Sequence, residues 1–416
     1  MRPLRVTALL ASALLAATAC GSSQPAATPA GPTELTVWHY WDGANAQTFQ
    51  TLAQRYEQQH QGVKLKLVNV PGAELLTKLQ TAATSRTLPD VAIGDLVWVP
   101  RLAQTGRLAD LKPHIPAAVW SDIYPEMLTF GSAQGRQLSI PVSANTLAMM
   151  YNTDLVKQAG LDPARPPRTW EELRQAAKTI LDKTGKPGFE LFTQPGDNGE
   201  GVTWNFQVTL WQAGGEFLTA DNTKAAFNSH AGRKALTFWS DLVKDGSSPL
   251  GPWGAFEKGA AASAQEGSWM VGIWKDKPPF PFATAAIPHP ADGKPATNMG
   301  GEQAVVFDTS KDVKAASAFL GWFADQNLEW SKTTGFLPTR RSIAESGDYL
   351  SSLDPLTKPF VDALPTARAR PASPVYPKVS LAFAKQVEQA LHGRKSVEAA
   401  LADAEREVNE ILAAGQ

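Results

Sequence analysis

Apolar and polar residues follow two different periods from residue 35 onward, and together they predict alternating strands and helices. Residues 35–38 and 63–68 have the short apolar or alternating pattern of strands, and 90–94 is a buried apolar run. A helix is predicted near 75–79 and another over 46–58, where apolar side chains recur at helical spacing: Phe49, Leu52, Ala53 and Tyr56. The order β-α-β-α-β is typical of an α/β fold whose sheet presents its strand ends to one crevice.

The same alternation continues through the rest of the chain. Thr169 and Glu172 have the spacing of a capping box, which marks the start of a helix. From residue 380 the pattern is helical to the end, with a break at Gly393. The other predicted elements are strands at 147–151, 270–273 and 303–307 and helices at 170–181, 233–244 and 313–323.

The first 33 residues read as export signals and not as part of the fold. Arg2 and Arg5 precede an apolar run at 6–17 that ends in small residues, which predicts a secretory signal peptide over 1–19. Cys20 follows directly and is the only cysteine, so it has no internal disulfide partner. The pattern resembles a bacterial lipobox, although Ala17 stands where leucine or valine is usual.

We therefore predict lipidation at Cys20, with an unmodified thiol in a cleaved signal peptide as the alternative. Residues 20–33, rich in Pro, Ser, Ala and Gly, are predicted to be a flexible lipoprotein tether. The expected location is the cell envelope, at its periplasmic or extracellular face and anchored to the membrane through lipid.

Composition and the absence of known motifs argue against several classes of ligand and activity. The chain has 39 basic and 40 acidic residues, a balance that argues against nucleic acid as a partner. No G-x-S-x-G, H-E-x-x-H, Walker A or EF-hand spacing is present, and the six histidines have no metal-ligand spacing, so we expect no cofactor, no metal and no enzymatic activity. The length beyond residue 34 predicts two lobes, and nothing indicates assembly beyond a monomer.

Several segments, in their order and spacing, resemble one protein family. The chain is similar to the sugar-binding lipoproteins of ABC transporters, extracellular solute-binding protein family 1, whose cluster contains maltose-binding protein. The segments include LTVWHYWDG, LPDVAIGDLVWVPRLAQTGRLADL, IPVSANTLAMMYN, AAASAQEGSWMVGIW, NMGGEQAVVF and TTGFLPTRRS.

The resemblance implies a two-lobed periplasmic-binding-protein (Venus-flytrap) fold of type II, with α/β lobes joined by crossing hinge segments. The N-lobe would comprise 34–143 plus 286–327, and the C-lobe 144–285 plus 328–416. It further implies that the chain captures a mono- or oligosaccharide between the lobes and delivers it to the permease subunits of an ABC importer.

A sugar site needs polar groups for the hydroxyls and aromatic rings for the C–H faces. Trp170 and Trp239 lie in apolar helix stripes and are predicted to be core, whereas residues after strands or glycine-rich loops are candidates for the site. The predicted ligand-binding residues are Trp41, Asp42, Asp95, Trp98, Asn145, Trp204, Asn205, Trp269, Gly301, Glu302, Arg370 and Tyr376. Of these, Trp98, Asn145 and Trp269 match ligand positions of the family by resemblance.

Some of these assignments have a structural alternative. The pair Trp41 and Asp42 has the position of a helix entry with Asp42 as its cap, Trp98 that of a ring packed under the next helix, and residues 300–302 that of a tight turn. Arg368 is the alternative to Arg370.

Two other functions remain open. Binders of sn-glycerol-3-phosphate or a glycerophosphodiester share the T-G-aromatic-L-P motif at 334–338, and Arg370 would supply the charge for a phosphate. Phe336, however, has no hydroxyl where such binders tend to have tyrosine. A glycoside hydrolase would use a carboxylate pair drawn from Asp42, Asp95 and Glu302, but its folds lack this pattern of lobes and crossings.

Overall fold

A computed structural model describes residues 32–196, 199–274 and 276–415 of the chain. The predicted signal peptide and Cys20 lie outside the described residues. Across the described ranges, no helix combines the length and apolar character needed to span a membrane.

The first lobe is built on a five-stranded sheet. Its strands are, in spatial order, Val63–Asn69, Thr33–His39, Val91–Asp95, Glu302–Val306 and Ile140–Pro141. The first three are parallel and are connected by the helices Gly43–Gln59 and Gly72–Ser85, as the sequence predicts. The last two run antiparallel to their neighbours and return from distant parts of the chain. The carboxyl ends of the parallel strands therefore meet residues from beyond position 300 at one edge.

The second lobe is built on a three-stranded antiparallel sheet surrounded by helices. Its central strand, Leu147–Asn152, is buried at every residue and lies between Ser263–Gly267 and Phe282–Ala285. The longer helices around it are Trp170–Thr184, Glu200–Gln212, His230–Lys244, Tyr376–Leu391 and Val397–Ala414.

The local signals of this lobe are confirmed. The capping box at Thr169 is present, with the Thr169 hydroxyl accepting from the Glu172 backbone N–H. Gly393, with a φ of 67°, lies in the break between the last two helices. Trp170 and Trp239 are buried, as predicted for core residues.

Shorter elements complete the chain. Val313–Asp325 and Asn327–Thr334 pack against the first helix of the first lobe. The other helices are Val99–Ala103, Ala117–Asp122, Pro125–Leu128, Thr153–Gln158, Trp269–Trp274, Arg341–Ala344, Gly347–Ser351 and Lys358–Asp362, and the other strands are Ser132–Ala133, Arg136–Gln137, Thr297–Met299 and Ala367–Ala369.

The segments that connect the two sheets are hydrogen-bonded to one another. The chain leaves the first sheet after Pro141 and returns to it at Glu302. Between these points, Asn145 and Gly300 exchange two backbone hydrogen bonds of 3.0 and 2.9 Å. Ala144 exchanges another two with Leu337, which follows Glu302 in the chain. These backbone hydrogen bonds tie the crossing segments to one another. The lobe boundaries assigned from sequence remain a prediction.

One expectation about local structure is wrong. Residues 270–273, predicted as a strand, belong to the helix Trp269–Trp274, because a short apolar run has no periodicity that separates a buried strand from a buried helix. Trp204 and Asn205, which follow the glycine-rich segment 196–201 in the sequence, lie inside the helix Glu200–Gln212, which begins directly after Gly199 in the left-handed conformation.

Candidate functional site

A cavity of about 390 Å³ lies between the two sheets, at the carboxyl ends of the parallel strands. Residues from both lobes and from the connecting segments line it: Tyr40, Trp41, Asp42, Asn45, Asp95, Asn145, Glu200, Trp204, Trp269, Ile273, Gly301, Glu302, Phe336 and Arg370. The lining thus includes most of the predicted ligand-binding residues: Trp41, Asp42, Asp95, Asn145, Trp204, Trp269, Gly301, Glu302 and Arg370.

Aromatic rings form one wall of the cavity. The indoles of Trp204 and Trp269 are stacked, with centroids 5.6 Å apart and planes 15° from parallel. Phe336 continues the wall, 6.4 Å from Trp269. A Cβ at position 267 would lie 1.9 Å from the Trp269 ring. Because Gly267 has no Cβ, the Trp269 indole has room to lie across the end of the strand Ser263–Gly267. The wall offers flat apolar faces to a ligand.

Glu302 brings a buried carboxyl group to the same cavity. The Tyr40 hydroxyl donates to its Oε1 at 2.9 Å, and the Ser143 hydroxyl donates to its Oε2. Burial raises the pKa of Glu302 to about 8, against the effect of the Tyr40 hydrogen bond and with a contribution from the nearby Asp95 charge. At neutral pH the group is mostly protonated, and it contributes hydrogen-bonding capacity with little charge.

Among the described residues that line the cavity, Arg370 is the one with a cationic side chain, and carboxylates already surround it. Its guanidinium nitrogens lie 2.8 Å from Asp95 Oδ1 and 2.5 Å from Glu200 Oε1. Burial acts to lower the pKa of Arg370, but the charges of Asp95 and Glu200 outweigh it and raise this pKa above its ordinary value. The guanidinium also lies over the Trp204 ring, 5.6 Å from its centroid. Its positive charge is therefore compensated within the protein.

The connecting segments bring backbone to the cavity. Gly301 has a φ of 145°, and a Cβ there would lie 2.1 Å from the Ser143 carbonyl oxygen. Asn145 Oδ1 and the indole nitrogens of Trp41 and Trp204 are buried and have no hydrogen-bond partner among the described residues. Buried polar atoms without a partner are uncommon in folded proteins, because each loses the hydrogen bonds it makes to water.

Three predicted residues do not line the cavity. Trp98 is buried and packs against Gly94 and Tyr40, with 5.7 Å between the centroids of the Trp98 and Tyr40 rings. Asn205 points away from the cavity because of its place in the helix, and it binds the Gly201 carbonyl and Gln265.

Tyr376 is fully buried. Its hydroxyl donates to Glu200 at 3.3 Å and accepts from Gln207 at 3.1 Å. Tyr376 and Trp98 therefore contact residues of the lining from behind.

Five lining residues were not predicted from the sequence: Tyr40, Asn45, Glu200, Ile273 and Phe336. Tyr40 precedes Trp41 in the same strand-end segment, and Glu200 is the one acidic side chain at the end of the glycine-rich loop, so each had a signal. Ile273 is 41% exposed, which only the structure shows. Arg368, the alternative to Arg370, pairs instead with Glu216 at the surface.

Another cavity, of about 500 Å³, lies in the second lobe beside the helix Trp170–Thr184. Aliphatic side chains and the prolines of 163–167 form most of its lining, and it contains none of the predicted ligand-binding residues. The interlobe cavity combines aromatic faces with convergent polar groups, which is the arrangement expected of a binding site.

Across the described part of the chain, no group of three or more His, Cys, Asp or Glu side chains is placed to hold a metal ion.

Residues 40–326 match the family of bacterial extracellular solute-binding proteins, and the chain belongs to that family. The crystal structure of the cyclic α-maltosyl-1,6-maltose binding protein from Arthrobacter globiformis is similar, with 54% identity and a TM-score of 0.83, covering 92% of this chain and 100% of that one. The GacH receptor of Streptomyces glaucescens is 26% identical with a TM-score of 0.81 and the same two coverages.

Among characterised sequences, the arabinooligosaccharide-binding protein of Bacillus subtilis (strain 168) is 27% identical over 370 residues, 83% of this chain and 82% of that protein. The predicted family, the two-lobed fold and the function as the solute-binding component of an importer are confirmed. The family is one of binding proteins, and its extracellular character places the chain outside the cytoplasm.

Proposed function

We propose that this protein captures an α-linked gluco-oligosaccharide between its lobes and delivers it to the permease of an ABC importer. The observation that carries the proposal is the stacked pair Trp204 and Trp269, which lines one cavity together with the hydrogen-bonding groups of Tyr40, Asn145 and Glu302. The Arthrobacter relative, 54% identical over nearly the whole chain, is a binding protein for cyclic α-maltosyl-1,6-maltose.

The physical match is between two kinds of surface. The C–H faces of pyranose rings are apolar and lie flat on indoles, while the ring hydroxyls replace bound water with protein hydrogen bonds. The cavity volume of about 390 Å³ falls within the range of about 300 to 1,000 Å³ typical of small-molecule sites. A carboxyl group that is mostly neutral at pH 7, such as Glu302, suits a ligand without charge.

The same geometry disfavours a glycerol phosphate or phosphodiester. A phosphate needs a cation or a helix N-terminus that is not already compensated. Arg370 is engaged by Asp95 and Glu200, and Phe336 brings no hydroxyl to the cavity. We therefore retain the neutral sugar as the ligand class.

Binding should be measured by calorimetry on the mature chain. We expect saturable binding of cyclic α-maltosyl-1,6-maltose or of linear maltotetraose, and no binding of glycerophosphocholine. Trp269→Ala should weaken sugar binding about 10-fold or more because a stacking face is lost. Trp253→Ala is the matched control, since Trp253 stacks on Phe192 outside the cavity. Binding of the phosphodiester alone would overturn the proposal.

We further propose that residues 1–19 are removed on export and that Cys20 carries the lipid anchor. The support is the sequence pattern of residues 1–33. Mass spectrometry of the mature N-terminus tests this, because a lipidated chain begins at Cys20 with the added mass of its acyl groups. An unmodified terminus at another residue would contradict the anchor.

A further inference from the structure

The two carboxylates that pair with Arg370 come from opposite lobes. Asp95 is the last residue of the strand Val91–Asp95 in the five-stranded sheet. Glu200 begins the helix Glu200–Gln212, which belongs to the second lobe. A single guanidinium, with its side chain only 2% exposed, therefore spans the gap between the lobes beside the ligand cavity.

We propose that Arg370 is an interlobe clasp, a positioning residue whose bond to Asp95 holds the lobes closed over the ligand. The proposal departs from the sequence prediction that Arg370 contacts the ligand itself. It rests on the proposed function only for the choice of ligand, since the clasp is formed by protein groups alone.

The ion pair between Arg370 and Glu200 lies within the second lobe. Glu200 accepts from the Ser380 hydroxyl at 2.8 Å and from the Tyr376 hydroxyl at 3.3 Å, and both belong to the helix Tyr376–Leu391. That helix packs along Glu200–Gln212. Arg370 lies before this helix, in the part of the chain that the sequence assigns to the C-lobe.

The ion pair between Arg370 and Asp95 must break when the lobes separate. Asp95 is held at its strand end, where its Oδ1 accepts from the Val97 backbone N–H at 3.0 Å. Its two oxygens accept from the Arg370 nitrogens at 2.8 and 3.3 Å, a two-point contact that requires both lobes to be in register. Because the guanidinium also lies over Trp204, the closed clasp fixes the stacking ring as well.

The same loop offers a matched control. Arg368 is two residues away, pairs with Glu216 at 2.6 Å and lies over the Trp211 ring. Both partners belong to the second lobe, and the side chains of Arg368 and Glu216 are 42% and 55% exposed. Arg368→Met removes a charge from the loop without touching the contact between lobes.

A double-mutant cycle separates a clasp from two independent ligand contacts. Calorimetry with cyclic α-maltosyl-1,6-maltose would compare the wild type with Asp95→Asn, Arg370→Met and the double variant. We expect each single change to weaken binding by about 30-fold, as for one partner of a buried charge pair, and the double variant to be within about 3-fold of the weaker single one. Arg368→Met should bind as the wild type does. If the double variant instead lost affinity by the product of the two single losses, the clasp would be overturned.

Small-angle scattering of the ligand-free chains tests the clasp without any sugar. Asp95→Asn and Arg370→Met should each show a larger radius of gyration than the wild type and Arg368→Met, with circular dichroism confirming that all four chains are folded. Identical radii in all four chains would overturn the clasp. If the wild type bound no sugar while the radii still differed, the proposed ligand would be wrong and the clasp would stand.

Discussion

Replacing Glu302 by glutamine should make the folded protein more resistant to alkaline pH. The carboxyl group is buried, 4% exposed, and burial raises its pKa from 4.5 to about 8. Glutamine has nearly the same shape, keeps an oxygen that accepts from Tyr40 or Ser143, and has no proton to lose. The change therefore removes one titration and leaves the packing in place.

The sign of this pH effect follows from which state of the chain, folded or unfolded, binds the Glu302 proton more tightly. The folded chain holds the Glu302 proton up to about pH 8, whereas the unfolded chain releases it near 4.5. The folded state thus loses stability as the pH rises between these values, and below 4.5 the group has no effect. The full shift corresponds to about 5 kcal/mol, and because buried sites relax we expect at least about 2 kcal/mol to be measured.

Urea unfolding at pH 5 and pH 9 measures this. At pH 5 the two chains should agree within about 1 kcal/mol, and at pH 9 Glu302→Gln should be the more stable by about 2 to 5 kcal/mol. Glu266, another carboxyl whose pKa burial raises, is present in both chains and cancels in the difference. Glu410→Gln, at an exposed position, is the control. A difference between the chains that is the same at both pH values would refute the reasoning.

Two further changes test the backbone of the hinge and a helix start. Gly301→Ala places a Cβ 2.1 Å from the Ser143 carbonyl oxygen at a φ of 145°, and we expect it to lower the free energy of unfolding by about 2 kcal/mol or more in urea titrations. Gly347→Ala, where a Cβ meets nothing within 4 Å, should cost less than about 1 kcal/mol, and equal losses would contradict the steric account. Thr169→Ala removes the cap that accepts from Glu172 and should cost about 1 kcal/mol by the same measurement.

Local sequence determined much of the architecture and part of the site. Helical spacing, the capping box at Thr169 and the glycine at 393 each act over a few residues, so their structural effect can be predicted without the fold. The rule that parallel strands end at one edge of a sheet placed Trp41, Asp42 and Asp95 together at the cavity.

Only the tertiary structure decided which groups of the site contact one another. The hydrogen bond from Tyr40 to Glu302 joins residues 262 positions apart, and the bonds from Arg370 to Asp95 span 275. Periodicity indicates whether a side chain is buried, but it carries no information about which distant group it meets. Trp98 and Tyr40 are both aromatic residues at strand ends of one sheet, and only their mutual packing decided that Tyr40 faces the cavity and Trp98 lies behind it.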